Sequence, residues 1–189
     1  EISKEIRNKS PLVIPSDLGK ASRINDVLGR YTEFAKITIP SNLSLGGIRI
    51  VADCANGAAY KILPQILREL GAEVVSIGVA PDGFNINVDS AVLKQELFAE
   101  YAKDYEFDYC VAVDGDGDRI VLSDAKGTIF TGDDILYTLA SRNKMIGKEK
   151  SDSVVGTTMS NEGLIEALGN LGISFLRTDI GDKYISREL

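Results

Sequence analysis

Not one of the 189 residues is a histidine. That single absence excludes Ser-His-Asp and Cys-His catalysis and every histidine-based zinc site. Tryptophan is also missing, and aromatic residues make up only 7% of the chain, so the core is expected to be aliphatic. There are two cysteines, Cys54 and Cys110, each inside a strand-like apolar stretch. Such cysteines read as buried thiols rather than as a disulfide or a nucleophile. No apolar run approaches the roughly 20 residues of a membrane span. The first residues, EISKEIRNKS, lack the apolar centre of a signal peptide. Long basic runs are absent too, and the formal net charge is -7, which argues against nucleic acid as the main partner. These absences together point to a cytoplasmic protein with no membrane or nucleic-acid partner.

What remains is an alternating pattern. With 44% hydrophobic residues, the chain can bury one or two cores of ordinary size. Pro11 and Pro15 interrupt the first 20 residues, which read as a helix end and a linker. Ile24, Val27, Leu28, Tyr31 and Phe34 recur at helical spacing and predict a helix over 21–36. Short apolar runs at 48–52, 73–77 and 109–113 then alternate with helical patterns at 58–70 and 92–102, where Leu93, Leu97 and Tyr101 are the expected core contacts. A hairpin is expected around Asp124-Ala-Lys-Gly127. Helix 132–146, strand 153–156, helix 160–171, strand 174–178 and a helix from about 181 follow. The expected fold is α/β, with mixed, mostly parallel sheets. An α/β unit over 21–130 precedes a partial one over 131–189, whose two strands cannot shield their own edges. Pairing between copies through that open edge, as a homodimer, is a further expectation.

One stretch concentrates charge. In VAVDGDGDRIVL (111–122), Asp114, Asp116 and Asp118 alternate with two glycines, directly after an apolar strand and before Arg119. Open α/β sheets commonly place ligands at the C-terminal ends of strands. The glycines permit a tight backbone path on which three carboxylates can converge. Without a cation, one or more of them would have to take up a proton. An all-oxygen set of few ligands suits Mg²⁺, which keeps room for water or a phosphate oxygen. Arg119 suits a phosphate, or serves as counter-charge to the carboxylates. A solvated acidic turn is the bland alternative. An EF-hand would require Gly at position 6 and Glu at 12, where this chain has Arg119 and Ala125. A D-x-D-G phosphatase of the haloacid dehalogenase type shares the first four residues only, and a non-enzymatic metal-binding module is the remaining rival.

Beyond this loop, LGKASRI (18–24), GRYTEF (29–34), VADCANGAAY (51–60), RELGAEV (68–74), PDGFNIN (81–87), VGTTMSNEGL (155–164) and IGDKYI (180–185) occur in order. With D-G-D-G-D-R at 114–119 they resemble the α-D-phosphohexomutases, and within them the branch acting on glucosamine phosphates. The resemblance implies a phosphosugar substrate, a phosphoserine that donates its phosphoryl group, a bisphosphate intermediate, and Mg²⁺ on Asp114, Asp116 and Asp118. It implies that Arg119 orients the phosphoryl group and that Asp182 and Lys183 contact the sugar. A helix-start role for Asp182 is the plain alternative. Gly156, Thr157 and Ser160 are further cleft residues by the same resemblance, with ordinary strand–helix turn chemistry as their alternative. Two family motifs are missing, the serine followed by His-Asn-Pro and the G-E-x-S-G-H loop, and Ser10 before Pro11 does not replace the first. After Asn87 the family's Gly-Ser-Thr-rich stretch gives way to VDSAVLKQEL. The chain therefore reads as a fragment: a linker, the second domain and the first part of the third.

Overall fold

The computed structural model describes residues 2–8, 13–147 and 153–189. Ser10 and Pro11 lie outside the described residues. The polypeptide begins with α1 (Ile2–Arg7), a 3-10 turn at Pro15–Asp17 and α2 (Val27–Ile37). Three strands then form a parallel group: β1 (Arg49–Asp53), β2 (Glu73–Ile77) and β3 (Tyr109–Val113). Their order is β2-β1-β3, and β1 pairs Val51 with Val75 on one side and with Cys110 on the other. The sheet is completed by β4 (Ile120–Asp124) and β5 (Ile129–Phe130), both antiparallel to their neighbours. Asp124 shapes the hairpin between them. Its Oδ1 accepts from the N–H groups of Lys126 (2.9 Å) and Thr128 (2.8 Å).

As the middle strand of the parallel group, β1 is buried on both faces. Side chains alternate along a strand, yet Ile50, Val51, Ala52 and Asp53 are all buried. The crossover β1–β2 runs through α3 (Ile62–Glu69), which packs on β2, and β2–β3 runs through α4 (Leu97–Asp104). Phe98 and Tyr101 of α4 join Val51, Ala91, Phe107, Cys110 and Ala112 in the main core. Cys54 and Cys110 are free and buried, and burial pushes the pKa of each thiol up to about 12.

Three local expectations need correction. Helix α3 starts at Ile62 rather than 58, because the preceding residues are spent on turns and on a bond from the Ala58 N–H to the Gly115 carbonyl (2.7 Å). Pro64 falls in the first turn, where its missing N–H costs nothing. Helix α4 starts at Leu97 rather than 92, since the preceding residues form turns, with i→i−3 bonds from Leu93 to Ser90 and from Leu97 to Lys94, and Leu93 is left half exposed. Helix α2 starts at Val27 rather than 21, so Ile24 falls before it, and the expected stripe of Ile24, Val27, Tyr31 and Phe34 lies exposed. The helix instead buries Thr32, half-buries Leu28 and Ala35, and ties Lys36 Nζ to Glu69 of α3 at 2.8 Å.

The second unit begins with α5 (Gly132–Met145) and continues through β6 (Ser153–Thr157), α6 (Glu162–Asn170), β7 (Ser174–Thr178) and α7 (Asp182–Glu188). Strands β6 and β7 form a separate two-stranded parallel sheet. Its core is a small cluster of Leu164, Leu168 and Ile173 under α5 and α6. Asn161 caps α6, its side-chain oxygen accepting from the Gly163 N–H at 2.7 Å. Among the described residues, no helix is long and apolar enough to cross a membrane.

Candidate functional site

Strand β3 delivers Asp114 to the C-terminal edge of the parallel group, and β4 resumes at Ile120. Residues 114–119 make the turn between them, closed by the Gly117 N–H on the Asp114 carbonyl (3.1 Å). Within it, Asp114, Asp116 and Asp118 each bring a carboxylate oxygen within 4.8 Å of the others. Asp114 is buried, whereas Asp116 and Asp118 are exposed. Arg119 secures the buried member twice, from its backbone N–H to Oδ1 (3.1 Å) and from Nε to Oδ2 (2.7 Å).

The electrostatics split the triad. Burial pushes the Asp114 carboxyl up, but the backbone and side-chain bonds from Arg119 outweigh it, and the group is held below the ordinary carboxylate range. Asp118 is raised, first by desolvation and then by the negative charges of Asp116 and Asp114. Arg119 is raised in turn by its bond to Asp114. A group pinned as an anion beside a neighbour that resists ionising is what converging carboxylates do without a cation. The donor set fits a hard divalent ion: oxygen only, three carboxylates, two of them open to solvent.

Two other strand-end loops press against this turn. The residues after β1 include Ala55 and Asn56, both in the left-handed region (φ 51° and 50°), and Asn87 from the loop after β2 shares that conformation (φ 61°). The Asn87 N–H donates to the Ala55 carbonyl (2.8 Å), and its side-chain oxygen accepts from the Gly115 N–H (2.8 Å). At Gly57 a Cβ would lie 2.3 Å from the Gly115 carbonyl oxygen, so only glycine fits. Beneath them, buried Asp53 accepts from the N–H groups of Ala55 (3.0 Å) and Ala91 (2.7 Å) and from the Tyr101 hydroxyl (3.2 Å). Sequence reasoning missed Asp53, Gly57 and Asn87. The available signal was an aspartate closing an apolar strand, the Asn56-Gly57 pair after β1 and the turn-rich PDGFNIN after β2.

A cleft of about 870 Å³ opens between this turn and the second unit. Asp118 and Arg119 line one side, and Gly156, Thr157 and Ser160 the other, with Ile185 and Leu189 at the α7 end. Asp182 and Lys183 are not among its lining residues. Both are exposed in the first turn of α7, where Gly181 rather than Asp182 takes the N-cap position. Asp182 accepts from the Lys183 N–H (2.7 Å), and Lys183 Nζ sits 4.7 Å from the centre of the Tyr184 ring.

The model for phosphoglucomutase/phosphomannomutase alpha/beta/alpha domain II matches residues 30–127, and that for domain III matches 131–189. The chain belongs to the phosphoglucomutase/phosphomannomutase family. Curated relatives named phosphoglucosamine mutase agree. One from Bordetella avium is 46% identical over 189 residues, all of this chain and 42% of the relative. One from Xylella fastidiosa (strain 9a5c) is 48% identical over 172 residues, 91% of this chain and 38% of the relative. The chain thus spans about two-fifths of the length of the curated relatives it matches. Among solved structures, a protein from Thermus thermophilus described as a candidate phosphomannomutase superposes with a TM-score of 0.72 at 25% identity, over 90% of this chain and 40% of that one. A phosphoglucomutase/phosphomannomutase family protein from Burkholderia thailandensis gives 0.70 at 21% identity, over 86% and 35%, and shows the fold alone.

Proposed function

We propose that this chain is the cation-binding part, with a portion of the sugar-facing part, of an enzyme that interconverts glucosamine 6-phosphate and glucosamine 1-phosphate. The observation that carries the reading is the convergence of Asp114, Asp116 and Asp118 beside Arg119 at the mouth of the cleft. The names of the relatives support the amino-sugar substrate over glucose or mannose phosphates. The family matches leave a haloacid-type phosphatase and a stand-alone metal module without support.

In this reading the three aspartates hold Mg²⁺. When bound, the ion neutralises charge on the transferring phosphoryl group, which is where most catalysis of phosphoryl transfer lies. Asp114 is the anchored ligand, kept ionised by Arg119. With Nε engaged on Asp114, the Arg119 guanidinium retains its terminal N–H groups as donors for a phosphoryl oxygen. Gly156, Thr157 and Ser160 shape the facing wall of the cleft. Asp182 and Lys183 remain proposed sugar contacts only by family resemblance. The phosphoryl carrier implied by the family is a serine before His-Asn-Pro, and a chain without histidine does not contain that motif. The 189 residues alone are therefore expected not to turn over. Placement in the cytoplasm, supply of amino sugar for the cell envelope, a divide between domains near 130 and pairing of two copies complete the proposal.

The test is to express the complete reading frame that encodes this chain and assay it on glucosamine, glucose and mannose 6-phosphates. The highest kcat/KM is expected on glucosamine 6-phosphate. A preference for either other sugar overturns the substrate assignment, and release of free phosphate from all three overturns the mutase reading.

A further inference from the structure

Gly115 lies between two of the three convergent aspartates, and neither of its backbone polar groups is left to its own loop. Its N–H donates to Asn87 Oδ1 at 2.8 Å. Its carbonyl accepts from the Ala58 N–H at 2.7 Å. The first bond comes from the loop after β2 and the second from the loop after β1. Sterics close the same grip. A Cβ on Gly115 would meet Ile86 Cγ1 at 2.6 Å, and one on Gly57 would meet the Gly115 oxygen at 2.3 Å.

We propose that Asn87 is a positioning residue for the divalent cation: it holds the Gly115 peptide so that the flanking Asp114 and Asp116 carboxylates stay together before the ion arrives. The inference rests on the cation-loop reading above and deepens it. Three anions repel, and a free turn would relax by spreading them. Arg119 hydrogen-bonds Asp114 and lies 3.9 Å from Asp118 Oδ1, which leaves the exposed Asp116 to be placed through the peptide that joins it to Asp114. Asn87 is suited to that task. Its φ of 61° is a conformation that asparagine tolerates better than most residues, and its own N–H is spent on the Ala55 carbonyl, which sets the direction of the side chain. The motif P-D-G-F-N-I-N thus acquires a role for its last asparagine at the cation loop.

The test uses Mn²⁺ alone as probe, titrated into the full chain and followed by electron paramagnetic resonance, with the thermal midpoint recorded for every variant. Asn87→Gly keeps the left-handed backbone and deletes the acceptor. It is expected to weaken Mn²⁺ about ten-fold, the lower end of what outer-layer partners contribute to metal sites. Asn87→Asp keeps both acceptor and backbone and is expected to bind within about three-fold of wild type. Asp116→Asn serves as the control for the loop itself. If Asp116→Asn weakens Mn²⁺ and Asn87→Gly does not, the positioning role is overturned while the cation loop stands. If Asn87→Gly lowers the thermal midpoint with unchanged Mn²⁺ affinity, Asn87 is merely structural and the role is again overturned. If the wild type has no saturable Mn²⁺ site, the cation-loop reading fails and takes this inference with it.

Discussion

The two α/β units share a strand–helix rhythm but differ in how well they are buried. In the first, β1 lies between two parallel neighbours, and Val51, Ala52 and Asp53 are sealed from solvent. In the second, among the described residues, β7 pairs with β6 alone, and Leu176 is 46% exposed. The core cluster of the first unit draws residues from β1, β3 and α4, whereas that of the second rests on Leu164, Leu168 and Ile173. The convergent carboxylates stand on the first unit. Holding like charges together needs a platform that does not yield, and three strand-end loops locked by mutual hydrogen bonds provide it. The second unit supplies Gly156, Thr157 and Ser160 to the cleft, a wall that needs shape more than stiffness.

The comparison breaks most visibly in the cores. Phe98→Ala empties a fully buried site in the first unit and should cost about 3–5 kcal/mol in urea unfolding. Leu168→Ala, in the smaller cluster with more room to relax, should cost about 2 kcal/mol. Equal costs would erase the distinction between the units. Gly57→Ala should cost about 1–3 kcal/mol by overpacking against the Gly115 carbonyl, and should weaken Mn²⁺ binding along with stability. A stability loss with intact Mn²⁺ affinity would show that the loops are less tightly coupled than their contacts indicate.

The smallest effect belongs to the start of α5. The Thr131 N–H and hydroxyl both donate to Asp134 Oδ2 (2.7 and 2.8 Å), and these bonds hold the Asp134 carboxyl below its ordinary value of 3.8. A depressed folded value means that the contribution is present above pH 3.8 and is lost as pH falls through the lowered value. Asp134→Ala should cost at most about 1 kcal/mol at neutral pH, given its exposure, and nothing measurable once the carboxyl is protonated. Urea midpoints of wild type and variant, followed from pH 7 down through and below 3.8, check both halves: the gap between them should hold above 3.8 and close as the pH falls further.

Much of this was legible because parallel strands announce themselves. IRIVAD, EVVSI and YCVAV are short apolar runs closed by aspartate or glycine, and two of the expected spans match β2 and β3 residue for residue. The acidic loop was equally plain, since strand position and glycine spacing are local properties. What escaped was set by contacts across long sequence separations. The late start of α3 goes with the bond from Ala58 to Gly115, and the turns before α4 begin where the Ala91 N–H is tied to Asp53. The α2 stripe shows that helical period identifies an apolar face but not what covers it: Phe34 is 65% exposed. The part of Asn87 was hidden for the same reason, since its partner lies 28 residues further on.

The central claim is that Asp114, Asp116 and Asp118 act together on one divalent cation. A Mn²⁺ titration with Mg²⁺ and Ca²⁺ as competitors, run on wild type and on Asp118→Asn, tests it directly. The account predicts one saturable site per chain, displaced by Mg²⁺ and lost or strongly weakened in the variant. Unchanged binding in Asp118→Asn, or a site that Ca²⁺ empties and Mg²⁺ does not, would contradict it.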